Sequence, residues 1–471
     1  MNQRGNKIRV RFAPSPTGHL HIGGLRSALF NWLFARHNQG TFVIRIEDTD
    51  QLRSTKEFEQ SIIQSLLTMS LPSDEPIVYQ HQRLDAHRQA AQYLLDKGLA
   101  YPCFCQPKNA DTVINDLEEG KGSVYDRTCR DKSYTQEDLK RPHALRFKVP
   151  DTLNTVYFDD LVLGRIEVAA SHLDDFVIMR QDNTPTYNFC VVVDDIFMGI
   201  THIIRGQDHV SNTAKQILLY QAYQQPRPYY AHIPLILGPT GGKLSKRDTS
   251  VSVQEYIEQG YLPAALCNYL VRLGWAHNDQ EVFTRKEMID LFTLDAVGKK
   301  GAIFDIKKLQ WLNSLYIRQA SLDDLIDALN TMSSEAYTKL TSRWDQAQCA
   351  ALLKLYQQRA LTLRELYNDI YHLAQRPSTC NTNILTKWMT DQTPRLVQAY
   401  KNILEHQTSW TADNLQTEAT NACLQYNAKL VTLAQPLRLA LTGGVTSPGI
   451  FEIMEILGKD KVLARLSLLK W

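Results

Sequence analysis

Arg9-Val-Arg-Phe-Ala-Pro-Ser-Pro-Thr-Gly-His-Leu-His-Ile-Gly-Gly24 contains a strand, a rigid turn and the start of a helix. Ile8, Val10 and Phe12 alternate with polar neighbours at the period of a strand, and Pro14, Ser15, Pro16, Thr17 and Gly18 break it. From Gly23 onward Leu25, Ala28, Leu29, Trp32, Leu33 and Ala35 recur at helical spacing as far as His37-Asn-Gln-Gly40. His19 and His21 therefore precede a helix N-terminus, whose free N–H groups and positive dipole end attract anions. Gly23 and Gly24 would let a bulky ligand approach the backbone. At the carboxyl end of a first strand, these features predict a nucleotide phosphate site of the open α/β kind.

Outward from this stretch the alternation continues. Thr41-Phe-Val-Ile-Arg-Ile46 is a β-branched and aromatic run ending in Glu47-Asp-Thr-Asp50, so acidic groups fall on the ligand-facing edge. A helix over about 55–69, a strand at Ile77-Val-Tyr79 and a helix through Leu94 and Leu95 follow. The order predicts a parallel, right-handed, doubly wound sheet. Residues 98–188 carry cysteines, a polar helical section at 111–120 and extended runs such as Ala144–Val149, the pattern of an α+β insertion. Strands are expected again at Cys190–Ile196, His202–Arg205 and Ile233–Leu237, with a helix carrying Ile217, Leu218 and Tyr220 between the last two. Gly238-Pro-Thr-Gly-Gly-Lys-Leu-Ser-Lys-Arg247 is a sharply turned or mobile loop dense in positive charge. From Asp305 to Trp471 helical periodicity dominates.

At 471 residues the chain is too long for one ordinary core. With 44% hydrophobic and 22% charged residues and no apolar run of membrane length, a cytoplasmic globular protein is expected. A net charge of +2 argues against a polyanion-coating protein, while leaving room for a basic face cancelled elsewhere. Eight cysteines in so long a chain do not make a disulfide framework, and only Cys103, Cys105 and Cys129 are grouped. On their own they read either as small buried side chains or as metal ligands.

The run RFAPSPTGHLHIGG resembles the signature of the glutamyl-tRNA synthetases, class I enzymes whose "HIGH" motif starts at the position of His21. The general motif ends in a second histidine where this chain has Gly24, a substitution familiar in the glutamyl branch. Lys243-Leu-Ser-Lys-Arg247 resembles the glutamyl form of the "KMSKS" loop. In amino-acid activation a carboxylate oxygen attacks the α-phosphate of ATP and pyrophosphate leaves. Lysines closing over the pyrophosphate stabilise charge that develops in the transition state. The resemblance therefore implies catalytic roles for His21, Lys243 and Lys246, and ATP contacts from His21, Gly23, Gly24, Lys243, Ser245, Lys246 and Arg247. His21 is read as a donor to phosphate, because the attacking carboxylate has no proton to lose at neutral pH.

The family match further implies a glutamate pocket of Arg11, Ala13, Ser15, Glu47, Tyr187 and Arg205. A guanidinium pairs with a carboxylate in bidentate fashion and separates glutamate from neutral glutamine. Tyr101-Pro-Cys-Phe-Cys105 with Tyr125-Asp-Arg-Thr-Cys129 resembles the zinc-binding insertion of some members. The implied structural Zn2+ has Cys103, Cys105, Cys129 and Tyr125 as ligands; where some relatives place a histidine, this chain has Asp131.

The same resemblance divides the chain at 1–97 (catalytic, first half), 98–188 (acceptor-end binding), 189–240 (catalytic, second half), 241–320 (stem contact with the lysine loop) and 321–471 (helical, anticodon binding). It implies a monomeric, cytoplasmic enzyme using ATP with Mg2+, L-glutamate and tRNA-Glu, with tRNA-Gln as the alternative or additional tRNA. Glutamine enzymes of the subclass usually end in β-barrels, and shortened tRNA-modifying relatives lack the last third. From other classes, a tRNA-binding paralogue without charging activity and a nucleotidylyltransferase are the competing readings. The latter leaves the helical third unexplained.

Overall fold

The computed structural model describes residues 7–50, 53–106, 125–242, 244, 252–375, 377, 382–386 and 388–469. They fall into two compact units, Met1–Gln254 with Cys267–Asp305, and Glu255–Leu266 with Ile306–Trp471. The first is α/β and built on parallel strands; the second is all helical among its described residues.

In the first unit, β1 (Arg9–Phe12) pairs in parallel with β2 (Thr41–Ile46), and β2 with β3 (Val78–Tyr79). Between β1 and β2 runs α1 (Ile22–His37), buried on most sides through Leu25, Ala28, Leu29, Phe30 and Leu33. The helices α2 (Lys56–Thr68) and α3 (Leu84–Asp96) flank β3 in sequence. Next come β4 (Ala100–Cys103), β5 (Ala144–Phe147), β6 (Thr155–Asp160), β7 (Gly164–Ala169) and β8 (Val177–Met179). Strands β4, β5 and β8 form an antiparallel sheet. The second parallel pair is β9 (His202–Gly206) with β10 (Tyr229–Ile233), extended by β6, parallel to β10, and β7, antiparallel to β6. Thr201 N–H donates to the Arg9 carbonyl at 2.9 Å, setting the start of β9 beside β1. The carboxyl ends of β1, β2 and β9 deliver Arg11, Glu47 and Arg205.

Two expectations are corrected. Residues 190–196 are not a strand: α4 spans Tyr187–Phe197, with Phe189, Cys190, Val191, Val192, Asp194 and Asp195 buried. The β-branched run favours a strand locally, but that preference is weak, and packing on two sides decides the outcome. The run 233–237 is likewise not one strand. Pro234, lacking an N–H, interrupts it, and Ile236–Leu237 (β11) pairs instead with Ala302–Ile303 (β12). The polar helix expected at 111–120 lies outside the described residues.

The second unit is a succession of helices from Ile306–Gln319 to Lys459–Leu466. Their apolar faces close on a core that includes Leu325, Leu353, Leu366, Tyr400, Leu433 and Met454. Side chains cap several helix starts, and Ser321 with Asp324 forms a reciprocal capping box. Gly260 has φ +87°, and a Cβ there would meet the Arg364 nitrogen at 2.3 Å, so only glycine fits this crossing. No described helix is long and apolar enough to cross a membrane.

Candidate active site

His21 is the N-cap of α1. Its Nδ1 accepts the Gly24 N–H at 3.0 Å, which leaves Nε2 to carry the proton of the neutral ring. Gly23 and Gly24 have a reason beyond ligand access: a Cβ at 23 would lie 3.0 Å from His21 Nδ1, and one at 24 would lie 3.0 Å from Leu20 Cδ1. His19 is engaged elsewhere, with Nδ1 2.8 Å from Ser61 Oγ. Lys243, Ser245, Lys246 and Arg247 lie outside the described residues. Just beyond this loop in the chain, Ser252 bridges to His21, and Val253 N–H donates to the Leu20 carbonyl at 2.8 Å. At Ser252 and Val253 the chain thus lies beside the helix start where His21 sits.

The residues singled out for the glutamate pocket converge around a buried charge cluster. Arg11 is buried and its Nε donates to both oxygens of Asp195, at 3.2 and 3.4 Å. Arg45, fully buried, donates to the same Asp195 and, at 2.9 Å, to Glu47. Burial pushes the Glu47 carboxyl above its ordinary value against the pull of Arg45 and Arg11. Tyr187, on α4, has its hydroxyl 3.1 Å from His209 Nδ1, and burial raises its pKa to about 12. Ala13 is half-buried and Ser15 exposed in the turn after β1, whose Pro14 carbonyl accepts the Glu47 N–H at 2.9 Å. Tyr187 lies within electrostatic reach of Glu47, Arg11 and Arg205, and Arg11 within reach of both Glu47 and Arg205.

Arg205 differs from the other two arginines. It is only 6% exposed and has no carboxylate partner in any described hydrogen bond or ion pair. Its Nε donates to His232 Nε2 at 3.1 Å and its Nη2 to Thr213 Oγ1 at 2.8 Å, while Nη1 is buried without a partner among the described residues. Burial lowers its pKa, the sign of a charge held at a cost in solvation. Arg11 and Arg45 share Asp195, and Arg45 also meets Glu47, whereas Arg205 meets no carboxylate in a described ion pair.

Sequence reading missed Arg45, Asp194, Asp195 and His232. Asp194 takes Gln80, Arg83 and His87 at 2.8, 2.6 and 2.9 Å, holding α3 and the turn before it to α4. The signal for all four was present: charged or polar residues inside apolar runs become buried and must find partners.

The cysteine group also assembles. Cys103, Cys105 and Cys129 place their sulfurs within 4.8 Å of one another. Cys105 Sγ lies 3.6 Å from Cys129 Sγ, and Tyr125 Oη lies 3.5 Å from Cys103 Sγ and 3.8 Å from Cys105 Sγ. In tetrahedral zinc with bonds of about 2.3 Å to sulfur and 2.0 Å to oxygen, ligand atoms stand about 3.5–3.8 Å apart. The Cys105–Cys129, Cys103–Tyr125 and Cys105–Tyr125 separations therefore suit that coordination. Asp131 is not in the group, and its carboxylate meets Lys148 at 3.2 Å. Arg146 donates to Cys103 Sγ at 3.3 Å and stacks 3.7 Å from the Tyr125 ring centroid, which offsets thiolate charge.

Residues 7–311 match the family described as tRNA synthetases class I (E and Q), catalytic domain, and residues 321–469 match an anticodon binding domain. The glutamate–tRNA ligase of Thermodesulfovibrio yellowstonii is 43% identical over 98% of both chains, and that of Nitrobacter hamburgensis 44% identical with the same coverage. Among solved structures, a glutamate tRNA ligase from Elizabethkingia meningosepticum in complex with its amino acid superposes with a TM-score of 0.85 at 31% identity. That match covers 98% of this chain and 99% of the other.

Proposed function

The chain belongs to the glutamate–tRNA ligase family of class I aminoacyl-tRNA synthetases, and from that membership we propose that it charges tRNA-Glu with L-glutamate through a glutamyl-adenylate, as a cytoplasmic monomer. The observation that carries the amino-acid assignment is the buried Nη1 of Arg205, which has no partner among the described residues, on a guanidinium that no described carboxylate pairs. The γ-carboxylate of glutamate supplies the missing charge, and glutamine would leave it uncompensated.

In this reading Arg205 and Arg11 face the γ-carboxylate, Glu47 takes the α-ammonium, and Tyr187, Ala13 and Ser15 complete the pocket. The α-carboxylate, left free, attacks the α-phosphorus of ATP, which arrives as its Mg2+ complex; the P–O bond to pyrophosphate breaks as the new one forms. His21 donates from Nε2 to phosphate oxygen, and Gly23 and Gly24 keep its ring and the helix start open to the nucleotide. Lys243 and Lys246 neutralise the leaving pyrophosphate, with Ser245 and Arg247 in the same loop. A ribose hydroxyl of the terminal tRNA adenosine then attacks the adenylate carbonyl and AMP departs. Segment 98–188 is assigned to the acceptor end, 241–320 to the stem and 321–471 to the anticodon, whose unstacked bases are read by stacking and edge contacts.

Charging of tRNA-Glu and tRNA-Gln transcripts with labelled glutamate or glutamine tests this. Glutamate is expected on tRNA-Glu and glutamine on neither; glutamate on tRNA-Gln as well would make the enzyme non-discriminating. Failure to charge either tRNA with glutamate overturns the activity and leaves a tRNA-binding paralogue.

Zinc is assigned to Cys103, Cys105, Tyr125 and Cys129, where it would tie the end of β4 to the segment after it and take no part in catalysis. Metal analysis is expected to find about one zinc per chain, falling at least about tenfold in Cys129→Ser. A fully active, metal-free wild-type protein would refute the assignment.

A further inference from the structure

Behind Arg205 two further buried groups are bonded to each other and to it. His232 is the register partner of Arg205 across β9 and β10 and is fully buried. Its Nδ1 lies 2.6 Å from Asp160 Oδ2. Asp160, at the end of β6, also accepts the N–H groups of His232, Val162 and Leu163 at 3.1, 3.0 and 2.9 Å. A carboxylate with so many donors stays ionised and keeps the imidazole proton on Nδ1. Nε2 is then a lone pair. It accepts the Arg205 Nε–H at 3.1 Å and lies 3.2 Å from the hydroxyl of Thr213, which accepts from Arg205 Nη2. Phe158 and Tyr230 pack against the His232 ring, 6.2 Å between centroids in each case, and limit its movement.

The consequence is directional. Two nitrogens of the guanidinium are fixed by His232 and Thr213, and the third, Nη1, is the one without a partner. Were the imidazole proton on Nε2, or were the ring charged, a donor would confront the Arg205 Nε–H and the fork would turn.

We propose that Asp160 and His232 form a positioning relay that aims Arg205 at the side-chain carboxylate of the amino-acid substrate, so that they set its affinity and the choice of glutamate over glutamine. This rests on Arg205 being the partner of that carboxylate. Asp160 belongs to 98–188, the segment assigned to the tRNA acceptor end, so that segment also shapes the amino-acid site through the Asp160–Tyr230 pairing of β6 with β10.

Steady-state charging by the full-length chain tests the relay. His232→Leu keeps an apolar side chain in place and removes the acceptor; the KM for glutamate should rise about 10- to 100-fold, with the KM for ATP unchanged and kcat within about threefold. Asp160→Asn, nearly isosteric, frees the tautomer and should move the same KM in the same direction. His232→Gln, which returns an acceptor, should recover most of the loss. Arg205→Leu is the control. If it raises the KM for glutamate while His232→Leu and Asp160→Asn, folded as judged by melting, do not, the relay is wrong and the pocket stands. If Arg205→Leu itself leaves that KM unchanged, the pocket reading fails and the relay with it. Equal losses in the KM for ATP, the KM for glutamate and kcat would mark His232 as merely structural and overturn the proposal.

Discussion

Arg205→Leu raises the KM for glutamate by about two to three orders of magnitude, leaves the KM for ATP near its wild-type value, and does not lower the melting temperature. The first part follows from removing one member of a desolvated charge pair, about 2–5 kcal/mol when the partner is left buried, and steady-state charging kinetics measure it. The last part is less intuitive. In the free protein Arg205 is buried without a carboxylate, so its charge costs solvation that no ion pair returns. Leucine removes that cost. The hydrogen-bond partners left behind satisfy each other, since the Thr213 hydroxyl already stands 3.2 Å from His232 Nε2. A variant with unchanged glutamate KM and a depressed melting temperature would identify Arg205 as a structural residue and remove the main support for the glutamate pocket.

Legibility from sequence divides along a physical line. The strand, turn and helix of residues 8–37 were legible because their determinants are local: alternation, prolines and glycine in the turn, helical spacing beyond it. The helical last third was legible for the same reason. Tyr187–Phe197 was misread because three consecutive valines carry a local strand preference, whereas α4 is fixed by packing against distant elements and by Asp194 and Asp195. A helix sends those neighbouring carboxylates to different clusters, Asp194 to His87 and Arg83, Asp195 to Arg11 and Arg45. Arg11, Glu47, Tyr187 and Arg205 were named from family likeness. Their supports were not, since Asp195 stands 184 positions from Arg11 and Asp160 stands 72 from His232, and no spacing rule joins them. Arg45 within Thr41–Ile46 and His232 within Tyr229–Ile233 gave a usable hint, because an interior strand tolerates such residues only when they are paired.

Asp195→Asn is expected to show the opposite pattern from Arg205→Leu: a loss of about 3–5 kcal/mol of stability, read as a melting temperature lower by roughly 10 °C. Asp195 is fully buried and serves two arginines. Burial by itself would lower the pKa of Arg45, yet Asp195, Glu47 and Asp194 together raise it well above its ordinary value, so this charge is held in place by its carboxylates. With Asn, Arg45 keeps only Glu47 among its hydrogen-bonded carboxylates, and Arg11 loses the anion that fixes it. Denaturant unfolding of Asp195→Asn, Arg45→Met and the double variant separates the pair from its surroundings. Because Asp195→Asn leaves Arg45 short of an anion and Arg45→Met leaves Asp195 with Arg11 alone, while the double change removes both members of the contact, the double variant should be more stable than the sum of the singles predicts, by at least about 1 kcal/mol. Strict additivity would mean that the Arg45–Asp195 contact carries no coupling. The pocket would then owe its shape to packing alone. With coupling present, Arg11 is fixed by a saturated ion network, whereas Arg205 is left unsaturated, and in the proposed pocket that difference between the two arginines is the basis of selection for an added carboxylate.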